Sequence, residues 1–420
     1  MHTYTHACGG EGARQTPAAA LEIAERLHVA LAESARRLYA EQRVSCSLAL
    51  LPTVALEGMP SGWGMMQVVP QQQNSFELVV GLGAEVVGEA LTCLLCEKHQ
   101  LKQQQQQHEE RQQSLTHVVG AAPPLLGPLV EDLTPETVAL ALLLLPAHDG
   151  LWNRRRRYLS ALMNDNDTEE SCRQFALLRE LLLTSLLLSC HHKKQEVWVQ
   201  REWVVRQLLA RGIFVGLEAF HWHDRVMLLE AADKHPMNYN AWNYRRRVIA
   251  LLAPKKEEEE GGQEDSAKRG IFRLLLLQES DTVLRFFEAH NGDTSAASYL
   301  IFLLQQVTAA DSGGSAPQEM WQRLLAATAC ELRRHCDKGH EAVWVLRLAL
   351  MHWGLRERPP CGWRLRDELG FAAHYATASW AELEEEEVVV TWEGVAGSHR
   401  WASYHAARYG LQLLQLLETA

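Results

Sequence analysis

From residue 134 onward, apolar clusters recur at helical spacing and are broken at near-regular intervals. Thr134, Pro135 and Glu136 form a helix start: a hydroxyl cap, a proline at the first helical position and an acid in the first turn. The pattern predicts helical pairs over 134–145 with 151–163, 169–190 with 196–210, and 217–232 with 239–252. It continues as 270–289 with 295–307, 317–334 with 341–353, and 363–384 with 400–417. Nothing in this region sustains a period of two, so strands are not expected there. The charged run 254–268, PKKEEEEGGQEDSAK, reads as a flexible surface loop between pairs, and 384–387 as a solvated helix end.

The first third of the chain is different. Residues 1–17 read as a disordered tail, and 18–41 have helical spacing with good helix formers. Within 43–90, the stretches 44–51, 65–70 and 76–80 are short, β-leaning and separated by Gly and Pro. They predict a small irregular or strand-bearing lead-in. A helix over 84–97 is expected to run into the glutamine tract 103–107, and 118–128 reads as a linker. The organisation is thus a tail (1–17), a lead-in (18–130) and a helical region (131–420).

The second helix of each pair carries a repeated motif. Trp152-x-x-Arg155, Trp198-x-x-Arg201, Trp242-x-x-Arg245 and Trp344-x-x-Arg347 each have an apolar residue seven after the Trp: Leu159, Val205, Ile249 and Met351. The tryptophans are separated by 46, 44 and 102 residues, the last being about two units plus the charged run. The missing copy falls at 295–307, where Ala297 and Leu300 replace Trp and Arg, and a weaker one lies near Trp401 and Arg408. A two-helix period in the mid-forties predicts an all-α, right-handed, TPR-like solenoid of stacked hairpins. Positions i, i+3 and i+7 share a helix face. The Trp would fill the joint between hairpins. The half-buried guanidinium would need a carboxylate or carbonyl in the neighbouring repeat. The runs 154–157 and 245–247 point round the helix, which favours inter-repeat and solvated roles over an anion site.

Composition narrows the function. The 420 residues carry a formal net charge of −11, which opposes nucleic-acid binding. Nine scattered cysteines, Cys8, Cys46, Cys93, Cys96, Cys172, Cys190, Cys330, Cys336 and Cys361, read as reduced thiols of a cytoplasmic protein. Cys93 and Cys96 form a lone CxxC, expected to be small apolar residues on a helix and not a zinc site. His191 with His192, and His221 with His223, lack the i,i+4 spacing of a helical metal site and read as ordinary polar positions. There is no signal-peptide core, the apolar run 181–190 is too short to span a bilayer, and the end LLETA has no cysteine to prenylate. Gly-rich phosphate loops and hydrolase or metalloprotease motifs are missing, which disfavours a self-contained enzyme.

The run 238–252, NYNAWNYRRRVIALL, resembles the repeat of protein prenyltransferase alpha subunits, Asn-Tyr-x-x-Trp-x-x-Arg-Arg. Asn238, Tyr239, Trp242, Arg245 and Arg246 match it position by position, and the resemblance extends over roughly residues 130–355. Segments 48–52 and 133–156 are similar to the branch of the family ascribed to a type III geranylgeranyltransferase. The resemblance implies an alpha subunit that wraps a zinc-bearing beta subunit. The pair would transfer a geranylgeranyl or farnesyl group from its diphosphate to a protein cysteine. No cofactor is expected in this chain. In farnesyl- and type I geranylgeranyl-transferases a Lys precedes the Asn-Tyr and faces the diphosphate; here Met237 stands there, with Lys234 and His235 nearby. A thioether cannot stabilise leaving-group charge as an ammonium can. Tyr239 could still lie near the diphosphate, and Asn238 is expected to cap its helix. The alternative is a non-catalytic solenoid scaffold for another protein.

Overall fold

The computed structural model describes residues 16–113, 133–212, 218–254, 263–334, 340–357, 364–383 and 398–419, apart from 57, 58, 60, 73 and 312. The tail up to 15, the linker 118–128, most of the charged run and 384–387 lie outside them. The described residues contain 14 helices and one small sheet, an all-α helical repeat architecture with a strand-bearing N-terminal region. They fall in two compact units, Met1–Lys234 and His235–Ala420.

The first unit starts with α1 (Pro17–Tyr39), which buries Ala20, Ile23, Ala24, Leu27, Leu31 and Leu38 on one face. Strands β1 (Arg43–Leu51), β2 (Gly64–Pro70) and β3 (Ser75–Gly83) follow, then α2 (Ala84–Gln113), which carries the glutamine tract within it. Helices α3 (Pro135–Leu144), α4 (Asp149–Asn164), α5 (Glu170–Cys190), α6 (Gln195–Ala210) and α7 (Glu218–Lys234) complete it. Thr134 caps α3 as expected, its hydroxyl accepting from the Thr137 N–H at 3.3 Å.

The sheet has order β1-β3-β2, with β1 parallel and β2 antiparallel to β3. Alternation sends Val44, Cys46, Leu48, Leu78, Val80 and Leu82 to the buried face. Gly64, at φ +136°, has no room for a side chain: a Cβ there would lie 1.9 Å from the Gly81 carbonyl oxygen. Strand β1 is an edge, and an edge leaves backbone groups that need partners. Here the helices supply them. Ser189 Oγ of α5 accepts from the Leu48 N–H at 2.9 Å. His223 Nδ1 of α7 donates to the Val44 carbonyl at 2.5 Å. The lead-in is therefore joined to the helices by specific side chains.

Several expectations change. His223 is not an ordinary polar position: it is buried, with its tautomer set by Val44, so Nε2 accepts from the Ser185 hydroxyl at 2.8 Å. His192 is also buried, its Nδ1 2.5 Å from the Leu188 carbonyl. Cys93 and Cys96 lie on a helix, α2, as expected, and both are exposed there. No helix of the described residues is long and apolar enough to cross a membrane.

The second unit is helical throughout its described residues. It comprises α8 (Tyr239–Leu252), α9 (Gln263–Ala289), α10 (Thr294–Ala310), α11 (Ala316–Arg334), α12 (Glu341–Glu357), α13 (Leu365–Leu383) and α14 (Ser398–Thr419). Helix α9 begins at Gln263, so the end of the charged run, 263–268, is helical and not loop. Each acid and amide there can join a hydrogen-bonded turn started from the apolar body of the helix. Trp321 of α11 lies against α12, its indole N–H donating to the Leu350 carbonyl at 2.7 Å. Contact that close requires a glycine opposite, and a Cβ on Gly354 would be 3.0 Å from the Trp321 ring.

Two tests follow from this packing. An exposed helical Gly→Ala change gains about 1 kcal/mol. Gly354→Ala should instead lose about 1–3 kcal/mol by overpacking, read as a lower midpoint in urea. The second test concerns His223, whose pKa is lowered from 6.5 to about 4, chiefly by burial and then by the Arg201 guanidinium. A depressed histidine pKa favours the folded state fully above the unfolded value, and that stability drains away as pH falls toward the folded value. His28, His191 and His405 shift in the same direction, mainly through burial. The natural chain should lose stability between pH 6.5 and 4, and His223→Gln should lose less across that window. Equal losses in denaturation at both ends of the window would reject the assignment.

Candidate functional site

The W-x-x-R motif builds a joint that recurs four times. In the first unit, Trp152 and Trp198 are buried plates whose indole N–H groups donate to the carbonyls of Pro146 and His192, at 2.8 and 2.9 Å. Each acceptor lies six residues before its Trp. Arg155 on α4 reaches Glu180 on α5 and donates from Nη1 to the Pro135 carbonyl at 2.7 Å. Arg201 on α6 donates from Nε and Nη2 to Asp224 Oδ1 on α7, at 3.1 and 2.9 Å. Its Nη1 donates to the Leu181 carbonyl, Thr184 Oγ1 and Ser185 Oγ at 3.0, 3.0 and 2.6 Å.

The second unit repeats this arrangement. Arg245 on α8 forks onto Glu279 of α9, with Nε–Oε1 at 2.7 Å and Nη2–Oε2 at 2.8 Å. Arg347 on α12 forks onto Glu368 of α13 at 2.5 and 2.9 Å, and its guanidinium stacks 4.1 Å over the Phe371 ring. The paired groups are almost wholly buried. Every motif arginine thus pairs with a carboxylate on the first helix of the next hairpin, as the half-buried position requires. Parallel two-bond contacts give direction as well as charge neutralisation.

A third donor completes most carboxylates. Gln200 Nε2 reaches Glu180 at 3.0 Å, the Tyr299 hydroxyl reaches Glu279 at 3.1 Å, and the Tyr409 hydroxyl reaches Glu368 at 2.5 Å. Burial, followed by the adjacent carboxylate, pushes both tyrosine pKa values upward, so each phenol remains a donor. The sequence reading missed these carboxylates. One signal could have found three of them: Glu180, Asp224 and Glu279 each precede the Trp position of their own hairpin (Trp198, Trp242, Ala297) by 18 residues.

The second arginine of the motif has a separate role. Arg156 Nε donates to Gln200 Oε1 at 2.7 Å, and Arg246 Nη2 donates to Ser298 Oγ at 2.6 Å, in both cases on the second helix of the following hairpin. Arg154 reaches the Leu133 carbonyl at 2.9 Å. The Arg156 and Arg246 contacts agree with the inter-repeat reading of the basic runs, while Arg154 bonds within its own hairpin. At the degenerate unit, Leu300 and Ala297 are buried without a charged partner of their own. Near the chain's end, Arg408 pairs with Glu341 at 2.8 Å on the surface, so the weak sixth copy does not repeat the buried joint.

The turn before α8 is individual to this unit. Asn238 is buried and caps α8, its Oδ1 accepting from the Ala241 N–H at 3.3 Å. Its neighbours do the opposite: Met237 is 58% exposed and Tyr239 67% exposed. Met237 has φ +56°, uncommon for a residue with a side chain. Its N–H donates to Asp293 Oδ2 at 2.9 Å. Trp242 packs against Phe286 and Tyr299, with ring centroids 5.3 and 5.2 Å away. Thus Asn238, Trp242 and Arg245 belong to the joint, while Met237 and Tyr239 form its surface.

Two open grooves of the second unit are lined by apolar and charged side chains together. One of about 460 Å³ lies between α9 and α11, lined by Asp281, Arg285, Glu288 and Arg323. Another of about 380 Å³ lies between α10 and α12, lined by Gln305, His352, Trp353 and Arg356. No group of three or more His, Cys, Asp or Glu able to hold a metal ion occurs among the described residues. No protein-family model matches the chain, and no curated protein matches it.

Glu279→Leu leaves Arg245 buried without its counter-charge, and such changes cost about 3–5 kcal/mol. Adding Arg245→Leu should recover a large part of that loss, since the apolar unit at Leu300 already uses this solution. Denaturation of the two single variants and the double variant checks it: simple additivity would show that the two groups are not coupled.

Proposed function

We propose that this chain is the alpha subunit of a heterodimeric protein prenyltransferase. The observation that carries the reading is the segment 238–246, Asn-Tyr-x-x-Trp-x-x-Arg-Arg. Its Asn, Trp and first Arg are spent on capping and on the joint, and its Tyr stays on the surface. The open grooves between alternate helices add support, because they suit contact with another protein better than enclosure of a small substrate. In this reading a beta subunit brings the zinc that activates the acceptor thiol, and the isoprenyl carbon is transferred from diphosphate oxygen to cysteine sulfur. The helical chain holds that subunit and helps to recognise the protein substrate. The transferred group is geranylgeranyl or farnesyl.

Met237 bears on how the leaving group is handled. With a thioether at the place of the family lysine, the cationic help for departing diphosphate falls to the beta subunit. The same residue favours the second reading, a non-catalytic solenoid scaffold.

Co-expression with a prenyltransferase beta subunit, followed by transfer of labelled isoprenyl diphosphate to a cysteine-bearing protein, tests the proposal. Stable association and transfer that needs both chains is expected. Association without transfer would leave the scaffold reading, and no association would sink the subunit reading. In the active pair, Met237→Lys should raise the transfer rate if the turn faces the diphosphate.

A further inference from the structure

Three features of the turn before α8 share one cause. In the first two joints, the Trp indole N–H donates to the carbonyl six residues earlier, Pro146 or His192. The equivalent carbonyl for Trp242 is that of Pro236. Yet the Trp242 indole nitrogen is buried without a hydrogen-bond partner. The next residue, Met237, is left-handed at φ +56°. Its N–H donates to Asp293 Oδ2 at 2.9 Å, while Asp293 Oδ1 caps α10 through the Ser295 and Ala296 N–H groups, both at 2.9 Å.

Rotation of a single peptide unit accounts for all three. Turning the plane between Pro236 and Met237 changes ψ of the first residue and φ of the second, and moves the carbonyl and the N–H to opposite sides. The proline ring fixes its own φ, so the motion is confined to that plane. One position gives the carbonyl to Trp242. The other gives the N–H to Asp293, with a left-handed residue and an unpaired buried donor, each of which costs free energy.

We infer that the Pro236–Met237 peptide is a two-position switch between the exposed Met237–Tyr239 surface and the buried Trp242 joint. Asp293 holds it in the position seen here. The left-handed residue and the unpaired donor burden the position seen here, and the charge-assisted bond to Asp293 offsets them, which leaves the two positions close in free energy, as a switch requires. A partner that grips Met237 and Tyr239 in one position alters the joint through this peptide, whether or not the complex is an enzyme. The inference therefore stands apart from the prenyltransferase reading.

Asp293→Asn tests it in the full chain. The amide oxygen keeps the cap of α10, and the NH2 group meets the Met237 N–H as a second donor. The Trp242 indole proton, assigned in nitrogen-15 spectra by its loss in Trp242→Phe, should exchange faster than those of Trp152 and Trp198 in the natural chain. In Asp293→Asn it should slow toward theirs as the carbonyl swings back. A paired variant keeps the test open if that substitution disturbs α10: Met237→Gly should melt above Met237→Ala, because only glycine accepts the left-handed position without strain. A Trp242 proton already as protected as the other two, or a Gly variant melting below the Ala variant, overturns the proposal.

Discussion

The structure depends on the buried ion pair between one hairpin and the next. A guanidinium or a carboxylate alone at these positions would carry a desolvation cost of several kcal/mol. Together they neutralise each other, and the fork geometry of Arg245–Glu279 and Arg347–Glu368 fixes orientation as well as distance. The Trp plates supply the apolar area, which is indifferent to small slips. The ion pairs are not, so they set the register in which hairpins stack. Tyr299 and Tyr409 reinforce this, since each carboxylate is also held by a donor from its own hairpin.

The departures from the repeat follow the same physics. At 297–300 the Trp and Arg are absent, and Ala297 and Leu300 close the joint by apolar contact. Removing one partner of a buried pair is costly, but a joint that never held a charge has none to compensate. At the N-terminus the sheet meets the helices through β1, whose exposed backbone groups would otherwise invite pairing with another strand. Ser189 and His223 satisfy two of them, at the Leu48 N–H and the Val44 carbonyl. Burial keeps His223 neutral, which leaves its Nε2 free to accept from Ser185 while Nδ1–H holds Val44.

The turn 235–239 is where the repeat stops serving packing alone. Asn238 and Trp242 are bound to the fold, whereas Met237 and Tyr239 face outward from a backbone in an uncommon conformation. Strain of this kind persists only where surrounding contacts impose it, here through Asp293.

Much of the fold was legible from the chain. The W-x-x-R spacing announced the hairpins, the alternation at 44–51 and 76–80 announced strands, and Thr134 and Asn238 announced their caps, because these are local consequences of helix and strand geometry. The need of each motif arginine for a carboxylate or carbonyl partner was also legible, since a charge on an apolar face must be compensated. Which acid answers was decided by tertiary structure: Glu180, Asp224, Glu279 and Glu368 lie 21 to 34 residues away and meet their arginines only when hairpins stack. The burial of His223 and the left-handed turn at Met237 were likewise invisible, for each arises from contact with an element distant in sequence. Local periodicity determines the elements; the long-range pairing of polar groups, which depends on where neighbouring helices place their donors and acceptors, is settled only in three dimensions.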